Sequence, residues 1–319
     1  MFPNAPEPFI DLSTGINPLP YPIPPIEPPA WTRLPEPEEI AALEDTAAKA
    51  YGAADGSMAA ALPGTQLLIS VLPRLFPRTS AVIFGPTYGE YAQAFAAAGC
   101  RVIEVGTLAA YEAAPLAVIC NPNNPDGRHF DAVTLLDLLR TRAGRGLLIV
   151  DESFVDLEDD GLSVAPYLPQ PGVIVLRSLS KTYGLGGLRL GFALAAPNLA
   201  AAIRVAFGPW PVSGAAIAIG MLALADRHWL AAARQKLLHD VTRLDALLQS
   251  ARLTIVGGTL LFRLAEIADA STLFRQLGQA GILVRSFDYR SDWLRFGIPA
   301  SENEWRRLAE ALHHASVKP

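Results

Sequence analysis

The chain has 319 residues, enough for two domains or for one large domain with a smaller companion. Hydrophobic residues make up 51% of it and charged residues 18%, a composition that forms a core and excludes a disordered protein. The net charge is −5, with 26 basic and 31 acidic residues, which argues against a general nucleic-acid binder.

The numbers and spacing of cysteines and histidines exclude further classes of protein. Two cysteines, Cys100 and Cys120, exclude a disulfide scaffold and a cysteine-rich zinc module. The five histidines form no H-x-x-x-H pair, so we expect no metal site. No stretch is apolar for long enough to cross a bilayer, and no signal peptide is visible. We therefore expect a soluble cytoplasmic protein that binds neither nucleic acid nor a membrane.

The first 37 residues hold twelve of the chain's 27 prolines. Proline-dense runs such as residues 21–25 form neither helix nor central strand, because proline fixes φ and lacks an amide proton. We predict an extended arm over residues 1–37 that joins the small domain, with a disordered tail as the alternative. The apolar residues of this segment favour an arm that packs on something: Phe9, Ile10, Leu12, Ile16, Leu19, Ile23 and Trp31.

After the arm, helices and strands alternate. A first helix is predicted from Pro37, with Gly52 as its stop, because proline suits a first helical turn and glycine commonly follows the last one. Further helices are predicted at residues 66–72, 88–98 and 132–142. Strands are predicted at residues 81–84, 101–105, 116–120, 147–150, 173–176 and 190–194.

These strands are short and almost wholly apolar, which is typical of strands buried on both faces. Their alternation with helices indicates an α/β fold with a mostly parallel sheet and helices on both sides. Such sheets bind ligands beyond the carboxyl ends of their strands.

From about residue 196 the chain becomes helical up to residue 249. Short strands are then predicted at residues 253–256, 259–263, 283–286 and 293–296, with helices near 271–280 and from 301. This is an α+β pattern. We predict a large domain over residues 38–210 and a smaller α+β domain over residues 211–319.

Polar residues follow two of the apolar strands at the expected ligand edge. Lys181, in the run Ser-Leu-Ser-Lys, comes after the strand at 173–176, and desolvation there would make its amine a nucleophile. Asp151 comes directly after the strand at 147–150, where a carboxylate can bind a cationic ring nitrogen. Taken singly, each has an ordinary alternative: a surface lysine, and a cap or turn aspartate.

Two further segments are weak signals taken alone. Residues 121–127, Asn-Pro-Asn-Asn-Pro-Asp-Gly, follow a third apolar strand but have the composition of an ordinary turn. Gly64, Thr65 and Gln66 open a helix, whose free amide groups can bind an anion, and Arg189 could add a bidentate phosphate contact. Three strands that end in polar residues at one sheet edge together predict a ligand site.

Together these motifs resemble the fold-type I pyridoxal-phosphate (PLP) enzymes, the aspartate-aminotransferase-like superfamily. The resemblance covers nearly the whole chain. Its most specific part is S-x-S-K with an arginine eight residues after the lysine, here Ser178, Ser180, Lys181 and Arg189. The resemblance implies PLP as cofactor, a mostly parallel sheet of the seven-stranded type, and a homodimer with the active site at its interface.

The resemblance also implies roles for individual residues. Lys181 would be attached to the cofactor aldehyde, and Asp151 would bind the ring nitrogen and keep the ring an electron sink. Asn124 would bond the ring 3-oxygen, and Tyr88, also a catalytic candidate, would stack on the ring. The cofactor phosphate would be held by Gly64, Thr65, Gln66, Ser178 and Arg189.

The substrate contacts are less well defined. Arg295 stands where the family has the arginine that clamps the substrate carboxylate, and Asn17 is a further candidate. The group that binds a substrate phosphate stays open among Asn17, Arg177, Arg285 and Arg290.

Three positions depart from the aminotransferases of this superfamily. Phe154 stands where many have a tyrosine that bonds the 3-oxygen. Leu34 replaces a tyrosine of the histidinol-phosphate aminotransferases that reaches the neighbouring subunit's cofactor. Asp126 replaces the usual threonine of N-P-T-G.

Other segments are similar to the threonine-phosphate decarboxylases of cobalamin biosynthesis: residues 11–18, 21–22, 31–35, 151–154, 208–213 and 294–297. In that family L-threonine O-3-phosphate loses CO2 to give (R)-1-aminopropan-2-yl phosphate, which implies a PLP-dependent carboxy-lyase. One alternative is a histidinol-phosphate or related class I/II aminotransferase, since the motifs do not decide which bond breaks. Another is a non-catalytic PLP-fold regulator, against which the retained Lys181 argues.

Overall fold

The computed structural model describes residues 2–317; Met1 and residues 318–319, the ends of the first and last predicted domains, lie outside the described residues. Contacts divide the chain into two compact units. The larger comprises residues 21–124 and 129–228, and the smaller comprises residues 2–20, 125–128 and 229–317.

Within residues 2–317 the chain forms thirteen strands and eleven α-helices, besides short 3-10 turns. The strands are β1 Ile10–Asp11, β2 Ala59–Leu62, β3 Ser80–Phe84, β4 Arg101–Val105, β5 Leu116–Cys120, β6 Leu147–Asp151, β7 Val173–Ser178, β8 Gly191–Ala195, β9 Thr254–Thr259, β10 Phe262–Glu266, β11 Ile282–Leu283, β12 Arg285–Phe287 and β13 Arg290–Gly297. The helices are α1 Pro29–Thr32, α2 Pro37–Tyr51, α3 Thr65–Leu75, α4 Glu90–Ala97, α5 Ala132–Arg142, α6 Leu179–Thr182, α7 Pro197–Phe207, α8 Gly214–Ala225, α9 Arg227–Ser250, α10 Ala270–Gln279 and α11 Glu302–Val317.

The larger unit contains a seven-stranded sheet in the order β2-β8-β7-β6-β5-β3-β4. All neighbouring pairs from β4 to β7 are parallel, whereas β8 runs antiparallel to both β7 and β2. The predicted α/β class with a mostly parallel sheet is therefore confirmed. Every residue of β5, β6, β7 and β8 is buried, which explains why these strands are apolar up to the polar residues that end β6 and β7.

The predicted first helix is confirmed as α2. It begins at Pro37 after a capping box between Glu36 and Glu39, and Gly52 ends it in the left-handed conformation with φ 79°. The short strand β2 was not predicted, because its sequence Ala-Ala-Ala-Leu lacks the branched and aromatic residues that mark a strand.

The units differ in their bounds from the predicted domains. Residues 21–37 group with the larger unit, where the Tyr21 amide donates to the Tyr183 carbonyl at 2.9 Å. Residues 211–228 also group with the larger unit, because α8 packs on α2, with Gly220 against Leu43. The predicted arm thus contributes to both units, and only residues 2–20 of its described part group with the C-terminal residues.

The smaller unit has an α+β pattern. Its four-stranded antiparallel sheet has the order β12-β13-β10-β9, and β1 pairs in parallel with β11. The strand β13 is longer than predicted, since it begins at the polar Arg290 rather than at the apolar Trp293. The glycine pair in β9 allows close backbone approach: a Cβ on Gly257 would lie 2.2 Å from the Asp126 carbonyl oxygen.

The expectation that all apolar residues of the arm pack is wrong within this chain. Ile10 and Leu12 are buried, but Trp31 is 66% exposed and Ile23 is 54% exposed. Among residues 2–317 no single helix is long and apolar enough to cross a membrane; only a bent pair, α8 with α9, reaches that length and composition together.

Candidate active site

The topology of the larger unit brings the predicted cofactor-binding residues to one edge of the sheet. β2, β3, β5, β6 and β7 point the same way, so the segments that follow them lie together at their carboxyl ends. Because β8 runs the opposite way, its first residues lie at this same edge. Ser178 is paired with Gly191, and Arg189 comes two residues before Gly191. Arg189, which precedes β8, therefore lies at the same sheet edge as the residues that follow the parallel strands.

Asp151 is the buried carboxylate of the site. It is the last residue of β6, and both of its oxygens accept hydrogen bonds from the protein. Tyr91 Oη donates to Oδ2 at 2.8 Å, and the Ser153 amide and hydroxyl donate to Oδ1 at 3.0 Å and 2.5 Å. These contacts fix the plane of the carboxylate, as is required of a group that binds a ligand atom in one direction.

Tyr91 belongs to α4 and is fully buried. Burial raises the pKa of its phenol well above 10, and the neighbouring charge of Asp151 raises it further. Tyr91 therefore keeps its proton and acts as a donor to Asp151 across the neutral pH range.

Lys181 lies on α6, directly beyond β7. Its Nζ is 5.6 Å from the centre of the Phe154 ring, within the range of a cation–π contact. Phe154 itself is buried and follows Asp151 by three residues. The position where many aminotransferases have a tyrosine thus presents an aromatic face to the lysine amine, without a hydroxyl.

Gly64 and Arg189 form a narrow cationic cradle at the start of α3. Gly64 has φ +81°, and a Cβ there would lie 2.5 Å from Arg189 Nη2. A side chain at position 64 would therefore displace the guanidinium. Gly191 approaches the other side of the turn, where a Cβ would lie 3.0 Å from the Thr65 amide nitrogen. A glycine-lined helix start beside an arginine is suited to a phosphate.

The two serines of the S-x-S-K run lie beside this cradle. Ser178 and Ser180 are both buried, and the Ser180 amide donates to Ser178 Oγ at 3.3 Å. Arg189 Nη1 is 3.5 Å from Ser180 Oγ and donates to the Gly186 carbonyl at 3.0 Å. The structure therefore brings Ser178, Ser180 and Arg189 together with the start of α3.

Gln66 and Tyr88 are joined through their side chains. Tyr88 Oη donates to Gln66 Oε1 at 2.9 Å, and Gln66 Nε2 donates to Glu90 Oε2 at 3.0 Å. The ring of Tyr88 lies edge-on to Tyr91, with centroids 6.5 Å apart. Tyr88 is thereby held next to the donor that binds Asp151.

The asparagine-rich turn after β5 contains two structural asparagines. Asn121 is fully buried and bonds Phe130 and Leu162, while Asn123 bonds Thr87 and Pro86. Asn124, the predicted partner of the ring 3-oxygen, is half-buried at the end of this turn. The turn is therefore held by its first two asparagines, Asn121 and Asn123, and Asn124 directly follows them.

The donor set of the larger unit fits PLP. Gly64, Thr65, Ser178 and Arg189 offer amides, a hydroxyl and a cation for its phosphate. Asp151 offers a buried carboxylate for the ring nitrogen, and Lys181 offers an amine for the aldehyde. Among residues 2–317, no group of three or more His, Cys, Asp or Glu side chains could hold a metal ion.

The two predicted substrate residues belong to the smaller unit. Arg295 lies on β13 and is buried, with its guanidinium 4.9 Å from the Phe262 ring centre and Nη2 donating to the Ser13 carbonyl. Asn17 is also buried, and its Oδ1 accepts from the Leu19 amide at 3.0 Å. The N-terminal segment is tied to β13 within this unit, so Arg295 and the turn that bears Asn17 are parts of one substructure.

The three arginines considered for a substrate phosphate differ in their surroundings. Arg177 is buried and forms ion pairs with Glu152 and Asp156 inside the larger unit, so its charge is already balanced by these carboxylates. Arg290 is paired with Asp292 and Glu266. Arg285 is exposed on β12.

Comparison with known proteins agrees with this geometry. The family described as aminotransferase class I and II matches residues 26–312. The chain belongs to this family. A threonine-phosphate decarboxylase of Sinorhizobium sp is 44% identical over 314 residues, covering 97% of this chain and 93% of the relative. A threonine-phosphate decarboxylase of Pseudomonas aeruginosa is 38% identical over 308 residues, covering 95% and 91%.

A solved structure supports the fold. Histidinol-phosphate aminotransferase from Sinorhizobium meliloti, in complex with pyridoxal-5'-phosphate, aligns with a TM-score of 0.84 at 22% identity, covering 96% of this chain and 90% of that one. The fold-type I architecture inferred from the S-x-S-K run is therefore confirmed.

Sequence reasoning missed two residues that contact Asp151. Ser153 had a local signal, because a serine two residues after an aspartate commonly closes a turn on the carboxylate. Tyr91 had none: it lies 60 residues from Asp151, and only the packing of α4 on the sheet brings the two together.

Proposed function

We propose that this protein is a PLP-dependent decarboxylase that converts L-threonine O-3-phosphate to (R)-1-aminopropan-2-yl phosphate, as in cobalamin biosynthesis. The observation that carries the proposal is 44% identity over 97% of the chain to a relative with that name. The donor set at the sheet edge supports the cofactor, since each of its polar groups has a partner among the described residues.

The residues of the larger unit would hold the cofactor. Arg189, Ser178 and the amides of residues 64–66 would bind its phosphate, Asn124 its 3-oxygen, and Tyr88 would lie on its ring. Asp151, oriented by Tyr91 and Ser153, would keep a proton on the ring nitrogen. When bound, PLP supplies an electron sink for the bond broken at the substrate Cα. Lys181 would anchor the cofactor and release the product amine.

The residues of the smaller unit would orient the substrate. Arg295 would bind the substrate carboxylate through a charge-assisted contact, and Asn17 would contribute a second polar contact. An orientation fixed in this way determines which bond at Cα stands perpendicular to the cofactor ring, and so which bond breaks.

An aminotransferase is the second candidate, because the matching family is described by that activity. Phe154 and Leu34 argue against the histidinol-phosphate type, since both replace hydroxyl groups. Lys181, Asp151, Asn124 and Arg189 would keep the same roles in either reaction.

Product analysis separates the two activities. With L-threonine O-3-phosphate we expect steady release of CO2 without an oxoacid acceptor. The protein should also show a visible absorption band that borohydride removes, with the reduced cofactor recovered on the Lys181 peptide. The parallel assay measures glutamate formed from 2-oxoglutarate and histidinol phosphate. Rapid transamination with no CO2 would assign the aminotransferase activity instead.

We also propose that the protein is a cytoplasmic homodimer. Six of the large apolar side chains left exposed on the larger unit support a partner surface: Ile23, Trp31, Leu34, Val205, Trp210 and Leu222. A chain of 319 residues with two cysteines offers no disulfide framework, which supports a reducing compartment.

A further inference from the structure

A buried charged cluster lies close in sequence to three of the predicted site residues. Glu152 follows Asp151, Arg177 precedes Ser178, and Thr182 follows Lys181. Side chains alternate along a strand, so Arg177 and Ser178, which are neighbours in β7, point to opposite faces of the sheet. We call Glu152, Asp156 and Arg177 the buried triad.

Arg177 is the centre of the buried triad. Its Nε lies 3.0 Å from Glu152 Oε2, its Nη1 contacts Asp156 Oδ1, and its Nη2 donates to Ser163 Oγ at 2.8 Å. One guanidinium fork thereby joins the end of β7 to the segment that follows β6. All three side chains of the triad are at most 6% exposed.

Each carboxylate of the triad also binds a neighbouring segment. Glu152 accepts from Ser163 Oγ at 2.7 Å and from the Val164 amide at 2.8 Å. Asp156 Oδ2 accepts from Thr182 Oγ1 at 3.1 Å. Because Thr182 is next to Lys181, the triad is connected to all three segments that bear Asp151, Ser178 and Lys181.

The triad holds two acidic groups against one guanidinium. Burial raises the pKa of Glu152 and of Asp156, and Arg177 opposes both shifts. For Arg177, burial alone would lower the pKa, but the two carboxylates raise it. Tyr51, Tyr183 and Arg227 are the other titratable neighbours, and the Tyr51 ring lies 4.6 Å from the guanidinium carbon.

We propose that Arg177, Glu152 and Asp156 are positioning residues that fix Asp151, Ser178 and Lys181 relative to one another. This rests on the proposed function, because it is the PLP site that they position. A fork that joins three segments restricts their relative movement more than a pair of separate contacts does. The same contacts also stabilise the fold, so the test must separate positioning from stability.

The larger unit offers a matched control. Arg204 and Glu44 form another ion pair, with Nε and Oε2 2.8 Å apart, and Glu44 is buried. Arg204 also donates to the carbonyls of Gly56 and Ala59, so it too joins several segments. Neither residue adjoins a predicted site residue.

The experiment compares R177K and E152Q with R204K and E44Q in the full-length protein. It measures PLP affinity, the midpoint pH of the visible band, kcat and KM, and the thermal midpoint Tm. We expect all four variants to lower Tm. In R177K and E152Q we expect kcat to fall about 10- to 100-fold with little change in KM, as for reacting groups misplaced by about 1 Å. PLP affinity should fall, and the midpoint of the band should move.

The control variants should keep wild-type PLP affinity, band midpoint and kcat. If R177K and E152Q behave like the controls, with a lower Tm and an unchanged band, the triad only stabilises the fold and the proposal is wrong. If R177K does not fold, E152Q decides, because it keeps the shape of the side chain and its contact with Ser163. Wild-type protein that forms no band with PLP contradicts the proposed function, whatever the variants do.

Discussion

At the scale of single residues, the contact between Tyr91 and Asp151 separates this site from an ordinary strand end. A turn aspartate is satisfied by local donors, as Asp151 is on Oδ1 by Ser153. The second oxygen is bound by a buried phenol from another element. This donor lies 60 residues from Asp151 in the sequence, so the tertiary fold supplies it. Such a contact indicates that the orientation of the carboxylate is important.

We expect Tyr91→Phe to impair catalysis more than stability. The variant loses a hydrogen bond to a charged group, worth roughly 1.5–3 kcal/mol, so kcat should fall about 10- to 100-fold. Since the raised pKa of Tyr91 keeps its proton in place at neutral pH, the loss should be similar between pH 6 and 9. The measurement is kcat against pH, together with the Tm.

Tyr111→Phe is the matched control for that variant. Tyr111 is also fully buried, and its hydroxyl donates to the Val118 carbonyl at 2.7 Å. This substitution should lower the free energy of unfolding by about 1 kcal/mol and leave kcat within about twofold. Equal kcat values for the two variants would contradict the role of Tyr91.

At the scale of elements, the turn between β2 and α3 requires glycine for two reasons. The φ of Gly64, +81°, is unfavourable for other residues, and the Arg189 guanidinium occupies the space that a side chain at position 64 would fill. The turn at Gly64 and the side chain of Arg189, two residues before β8, therefore fit closely against each other.

Gly64→Ala should weaken PLP binding. The added methyl group would displace Arg189, and we expect the dissociation constant to rise at least about tenfold, roughly 1.4 kcal/mol. Gly99→Ala is the control, because Gly99 has φ +78° and no heavy atom within 4 Å of an added Cβ. Both variants should lose stability from the strained φ, by about 1–2 kcal/mol. Titration with PLP measures the difference, and equal affinities would argue against the cradle.

The same elements show what sequence reasoning can reach. The strands β4 and β5 were predicted at their observed bounds. β5 is apolar and buried throughout, whereas β4 lies at the sheet edge and was recognised by its branched residues Val102, Ile103 and Val105. β7 extends two residues beyond its prediction, through Arg177 and Ser178, because its polar end is buried by the triad and the cradle. The polar residues at strand ends could therefore be predicted as candidate site residues. The residues that pack on them and bury them could not.

At the scale of the whole molecule, the predicted site residues are divided between two compact units. Nine predicted cofactor residues lie in the larger unit, whereas Arg295 and Asn17 lie in the smaller one. This grouping is not apparent from the order of the sequence, because residues 2–20 and 125–128 belong to the same unit as the C-terminal residues. A linear reading placed the boundaries at residues 37 and 210, where the composition changes, although the contacts change at residues 20 and 228.

The exposed apolar residues of the larger unit lead to a prediction on assembly. Trp31 and Leu34 are 66% and 59% exposed, and α1, which bears Trp31, contacts α8. We expect the wild-type protein to sediment as a dimer and the double variant Trp31→Glu, Leu34→Glu to dissociate, because each charge would be buried unpaired at the interface. Val133→Glu is the control, since Val133 is 62% exposed on α5. A wild-type monomer at all concentrations would contradict the proposed homodimer.

The reversed direction of β8 has a consequence for how the site assembles during folding. Ser180 and Arg189 are only nine residues apart, and the pairing of β7 with β8 closes a short loop that brings them together. Tyr91 and Asp151 are separated by 60 residues and meet only when α4 has docked on the sheet. Closing a short loop loses less chain entropy than closing a long one. The contact between Ser180 and Arg189 is therefore local, whereas the approach of Gly64 to Arg189 and the contact between Tyr91 and Asp151 depend on the assembled sheet.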